Sequence, residues 1–164
     1  MRSVIAVGAV ALSACAYHPG SFHKPNQDFR GERATIGCLD LSIDRRVDRQ
    51  VAEEELVDYE KSAVFEYSFG NRCNQPTTID LASVAVWATT ASGEQIRLYP
   101  YDPQHVIAAL PIEGRLFGSE VIAYPLHEPA TRVCIDAASI ARVEPAQWKC
   151  FESKEPAVIA EGAP

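Results

Sequence analysis

The 164-residue chain lacks most of the marks by which a sequence announces its chemistry. It has no Gly-x-Ser-x-Gly elbow and no glycine-rich phosphate cradle. No two cysteines have the two-residue spacing of a zinc knuckle, and no histidine lies near Cys38, Cys73, Cys134 or Cys150 in sequence. No apolar run reaches the roughly 20 residues that a membrane-spanning helix needs. Positive charge is also short: Lys and Arg number 15 against 22 Asp and Glu, a formal charge of −7. An acidic chain without a basic cluster repels nucleic acid, so that partner is excluded on charge. No segment holds a helical stripe for ten residues, which argues against a helical domain.

What is present begins at the N-terminus. Met1-Arg2 supplies one positive charge, and Val4 to Leu12 forms an apolar run of signal-peptide length. Leu12-Ser13-Ala14-Cys15 then places a branched apolar residue and two small ones before a cysteine. This stretch resembles the lipobox of bacterial lipoproteins. The resemblance implies that Cys15 is lipidated and becomes the first residue of the mature chain. Two or more acyl chains give stable anchoring, at roughly 0.8 kcal/mol per buried CH₂. The residue after the cysteine is Ala16, not Asp. By the family's sorting rule this favours the outer membrane, facing either the periplasm or the cell surface.

Four cysteines remain: Cys38, Cys73, Cys134 and Cys150. An even count in an exported chain predicts two disulfides. Three connectivities exist. Strand placement favours Cys38–Cys73 with Cys134–Cys150, and the rival joins Cys38 to Cys134.

Residues 15–33 carry Pro19, Gly20, Pro25 and Gly31 without periodicity and read as a lipidated, flexible tether. Residues 34–151 read as the folded domain and 152–164 as a frayed tail. Within the domain the period is two. Leu39, Leu41 and Ile43 alternate with Asp40, Ser42 and Asp44, and Ala63, Phe65, Tyr67 and Phe69 share one face. Residues 45–61, with Glu53-Glu54-Glu55 and Asp58, read as a solvated acidic loop that lacks the pattern of a calcium site. Residues 77–90 change phase near Ala82-Ser83, which fits a β-bulge or, alternatively, a strand buried on both faces. Ala91 to Glu94 reads as a hairpin turn, and residues 95–99, 106–110, 121–124 and 131–136 as further strands, with one helical turn near Ser139. About seven short strands predict an all-β fold, an antiparallel two-sheet sandwich of immunoglobulin-like outline. The Trp and Cys signature of antibody domains is absent. In outline the chain resembles β-sandwich lipoproteins of bacterial envelopes, a likeness that implies no activity.

Candidate chemistry is thin. His18 and His23 fall in the tether and read as solvated. Asp102 and His105 could meet across a turn as a base and its orienting group, but no nucleophile accompanies them. Turn formation explains Asp102 better. Tyr99 and Tyr101 flank Pro100 and form a candidate contact patch for a protein or glycan. No cofactor, metal or catalytic residue is implied. The leading expectation is therefore a noncatalytic, lipid-anchored envelope protein acting as a binding or structural module. An envelope-acting hydrolase using Asp102 and His105, or a small-ligand-binding module, are the alternatives.

Overall fold

The computed structural model describes residues 16–23, 31–46, 61–102, 107 and 109–152. Cys15, the acidic run of residues 53–58, His105 and the tail from residue 153 lie outside the described residues, as does the side chain of His23.

The order of elements is β1 (Glu32–Ile36), β2 (Leu39–Arg46), β3 (Lys61–Asn71), β4 (Thr77–Asp80), β5 (Val86–Thr90), β6 (Gln95–Leu98), β7 (Ala109–Ile112), β8 (Phe117–Leu126), β9 (Ala130–Asp136), α1 (Ala137–Ile140) and β10 (Trp148–Glu152). A short 3-10 turn, Ser21–His23, precedes β1. The strands build an antiparallel two-sheet sandwich. Sheet one has the order β1-β2-β3-β8 and sheet two β10-β9-β5-β6, while β4 and β7 form a separate two-stranded ribbon. The chain passes from sheet one to sheet two through residues 127–129, between β8 and β9.

Alternation accounts for the core. Leu39, Leu41 and Ile43 of β2 and Phe65 and Tyr67 of β3 are fully buried from sheet one. Val86 and Ala88 of β5 and Val133 and Ile135 of β9 meet them from sheet two. Phe65 lies 5.0 Å, ring to ring, from Phe151 of β10, which joins the two sheets directly. Each such side chain contributes about 1.5–3 kcal/mol through removal of apolar surface from water. Two core phenols satisfy one another: the Tyr67 and Tyr124 hydroxyls are 2.7 Å apart. Burial raises both groups above the ordinary phenol range.

Several expectations need correction. Ten strands are present among the described residues, against about seven read from the sequence. Strand order begins at Glu32, not Ala34, and the last strand runs to Glu152. The phase change near Ala82-Ser83 is not a bulge. There the strand ends, and the chain leaves the β4–β7 ribbon to enter sheet two as β5. Asp80 enforces the break, because its carboxylate accepts from both the backbone N–H and the hydroxyl of Ser83. Arg142, just past α1, clamps the same carboxylate. Both effects hold the Asp80 carboxyl below the usual carboxylate range, the Ser83 hydroxyl most strongly. The expected helical turn is present as α1. It is N-capped by Asp136, whose Oδ1 accepts from Ala138 N–H at 3.0 Å and Gln147 N–H at 2.7 Å.

Both disulfides join the favoured pairs. Cys38–Cys73 ties the β1–β2 turn to the segment after β3. Cys134–Cys150 bridges directly opposed residues of β9 and β10.

Candidate functional site

The two sheets treat their outward faces differently, and that difference defines the site. On sheet one the outward parity of β2 should be solvated, yet Asp40 is 1% exposed and Ser42 is also buried. Ser68 of β3 is buried as well. The cover comes from residues 16–23, the segment whose composition predicts a flexible tether. Tyr17 lies flat on β3 at Gly70, where an added Cβ would come within 2.3 Å of its ring. Phe22 is 1% exposed and stacks 5.3 Å from Tyr17 and 6.0 Å, edge on, from Phe117.

A polar latch fixes this cover. The Tyr17 hydroxyl donates to Asp40 Oδ2 at 2.6 Å, and Gly20 N–H donates to the same oxygen at 3.0 Å. Thr35 Oγ1 donates to Oδ1 at 2.9 Å, with Arg72 Nε 3.6 Å from that oxygen. Tyr17 N–H donates to the Arg115 carbonyl. Burial alone would raise the Asp40 carboxyl. The three donated hydrogen bonds and the Arg72 charge outweigh burial and hold it below the usual carboxylate range. Tyr17 is pushed well above the ordinary phenol range, first by burial and then by the carboxylate it faces. Of the remaining expectations for residues 15–33, His18 is exposed at this edge.

Among the described residues nothing covers the outward face of sheet two. Residues that pair directly share a face, so Cys150, Cys134, Trp87 and Arg97 form one row across β10, β9, β5 and β6. Trp87 is 39% exposed. The adjoining row carries Trp148, 48% exposed, at one side and Tyr99, 65% exposed, at the other. The Arg97 guanidinium lies over the Tyr99 ring, 5.4 Å from its centroid. Arg132 and Glu152 form an ion pair at 3.3 Å beyond the disulfide. Three exposed rings, Trp87, Trp148 and Tyr99, thus form an aromatic platform on the same face of the sheet as the disulfide.

The residues singled out from sequence fare unequally. Tyr99 joins the platform. Tyr101 is partly exposed, and its backbone N–H donates to the Ala123 carbonyl of β8. Asp102 accepts from Ile107 N–H at 3.0 Å, a turn-closing role. Its postulated partner His105 lies outside the described residues, as does Cys15. Trp87 and Trp148 went unremarked in the sequence. The signal was there: Trp87 stands out of phase with the buried Val86 and Ala88 of β5, and Trp148 with the partly buried Phe151 of β10. Among the described residues no group of three His, Cys, Asp or Glu side chains is placed to hold a metal ion, and no helix is long and apolar enough to cross a membrane.

No family model matches the sequence, and no curated protein matches it. Among solved structures, the yjhA protein from Bacillus subtilis aligns with a TM-score of 0.42 and 9% identity. The alignment covers 68% of this chain and 81% of that one. So low a likeness carries no argument about this chain.

Proposed function

We propose that the chain is a noncatalytic, lipid-anchored envelope protein whose sandwich binds another envelope protein through the bare face of sheet two. The anchor reading rests on the lipobox-like Leu12-Ser13-Ala14-Cys15, and the outer membrane on Ala16. The single observation that carries the binding reading is the platform of Trp87, Trp148 and Tyr99 with Arg97. Trp, Tyr and Arg are the residue types that dominate protein interface energetics. Three exposed rings on one sheet face support an interaction surface rather than ordinary surface scatter. On an otherwise acidic chain, Arg97 gives this face a cation, so a partner surface carrying carboxylates fits it best.

Two experiments test this. Cys15→Ser is expected to abolish palmitate labelling and partition into detergent. A wild-type chain that never labels removes the anchor reading. For the binding face, a photo-crosslinking amino acid replaces Gln95 on sheet two or Val121 on sheet one in intact cells. A discrete protein adduct is expected from position 95 only, and Trp87→Ala with Trp148→Ala should remove it. Equal adducts from both faces, or an adduct indifferent to the two Trp replacements, defeats the reading. Saturable binding to purified cell-wall glycan that depends on the same two residues would replace a protein partner by a glycan.

A further inference from the structure

The anchor and the covered face meet at one place. Cys15 precedes Tyr17 by two residues, so its Cα lies within about 7.6 Å of the Tyr17 Cα whatever path the chain takes. Tyr17 itself is held by Asp40, Gly70 and the Arg115 carbonyl. A lipid on Cys15 therefore enters the bilayer beside that end of the sandwich. The neighbouring surface comprises Arg72, its side chain 41% exposed and paired with Asp40, Arg115, hydrogen-bonded to Asn74, and the exposed edge of Phe117. Glu113 is the acidic residue on this rim. Arginines and an aromatic edge suit the headgroup level of a membrane.

The opposite end is well separated. Phe117 pairs with Gly70 and Leu126 with Lys61, so β8 spans the sheet over about 30 Å. The chain then turns, and Ala130 pairs with Thr90, which puts the 91–94 hairpin at the far end.

We propose that residues 16–23 hold the lipid-bearing end of the chain against the sandwich, so that the end carrying Arg72, Arg115 and Phe117 faces phospholipid headgroups and the 91–94 hairpin points away. This rests on the reading that Cys15 carries the lipid. It adds that the domain stands on the membrane in a fixed orientation instead of swinging on a tether.

The test supplies the anchor chemically, so it does not depend on lipidation in cells. The chain beginning at Cys15 keeps every described residue, and Cys15 is its only cysteine outside the two disulfides. It is coupled through that thiol to maleimide-headgroup lipid in vesicles of phosphatidylethanolamine and phosphatidylglycerol, 3:1. A keto amino acid at Gln75, near end, or Ala91, far end, carries a donor dye, and a headgroup-labelled lipid is the acceptor. Energy transfer should be about twofold or more greater from position 75, given the ~30 Å difference in height. The difference should vanish in Tyr17→Ala with Phe22→Ala, and Tyr17→Ala alone serves if the pair does not fold. Equal transfer from both sites in the wild type overturns the proposal. So does a difference that survives loss of the two aromatics. Absent palmitate labelling of Cys15 in cells would remove the anchor reading while leaving this geometric result standing.

Discussion

The outward faces of the two sheets start from similar strand patterns and end in opposite states. On β2 and β3 the outward positions are polar, Asp40, Ser42 and Ser68, and they are buried. On β5 and β10 the outward positions include Trp87 and Trp148, and they are exposed. Polarity alone would assign the two faces the other way round. What decides the outcome is a segment remote in sequence. Residues 16–23 bring two aromatic rings to sheet one, and the buried Asp40 is acceptable there because four groups compensate its charge. Nothing among the described residues does the same for sheet two. One sheet is completed within the chain, and the other presents an unfilled aromatic surface.

The contrast can be broken most strongly through the disulfides, one at the end of sheet one and one within sheet two. Cys38–Cys73 spans 35 residues and Cys134–Cys150 spans 16. In the chain-entropy model these separations correspond to about 4 and about 3 kcal/mol. The second bridge joins residues already paired between β9 and β10, so its loss should fall below that figure. Paired Cys→Ser replacements should therefore lower the denaturation midpoint more at positions 38 and 73 than at 134 and 150. The reverse order would mean that the bare face, not the covered one, holds the domain together.

A smaller effect sharpens the same contrast within the aromatics. Phe22→Ala removes a buried ring and should cost about 3 kcal/mol, as core Phe truncations do. Trp87→Ala removes a larger but exposed ring and should cost less than about 1 kcal/mol. Equilibrium unfolding of the two variants compares them directly. Similar costs would show that Phe22 is not part of the core cover.

Smallest is Tyr17→Phe, which keeps the ring and removes one donor to a buried carboxylate. The expected loss is about 1–3 kcal/mol. The latch also has a pH signature. The Asp40 carboxyl is depressed, so its stabilisation is present above the ordinary carboxylate range and lost as pH falls through the depressed value. The Tyr17 phenol is raised, so its share is present below the ordinary phenol range and lost only as pH rises through the raised value. Tyr17 should stay docked across the neutral range and loosen in acid, read by protease cleavage near residue 20. Docking that weakens between about pH 6 and pH 8 would contradict both shifts.

Much of the sandwich was legible because it depends on local period. Leu39 to Ile43 and Ala63 to Phe69 alternate cleanly, and both strands occur, paired antiparallel with one another. The pairing of cysteines followed from the placement of the same strands. The packing of residues 16–23 was not legible because Tyr17 and Phe22 sit among Pro, Gly and His with no repeat, and what holds them, Asp40 and Gly70 for Tyr17 and Phe117 for Phe22, lies far along the chain. The break after Asp80 was misread because a phase change looks the same whether a strand bulges or ends. The carboxylate that accepts from Ser83 and Arg142 decides it, and Arg142 is 62 residues away. Trp87 and Trp148 were missed because strand reading looks for what goes inward.

The Cys38–Cys73 bridge also matters to how the molecule would bear load. Tension applied at residue 15 reaches Tyr17 first, passes to Asp40 on β2 and to the Arg115 carbonyl, and Arg115 N–H is bonded to the Cys73 carbonyl. Force thus enters the fold where a covalent bond joins the β1–β2 turn to the end of β3, and the strands are not peeled apart one by one. Only if the Tyr17, Gly20 and Phe22 contacts all yield does the segment from Tyr17 to Glu32 come free, with a contour of at most about 50 Å before β1 is pulled. The cover of sheet one then acts as a mechanical fuse: it lets go first, lengthens the leash, and spares the sandwich.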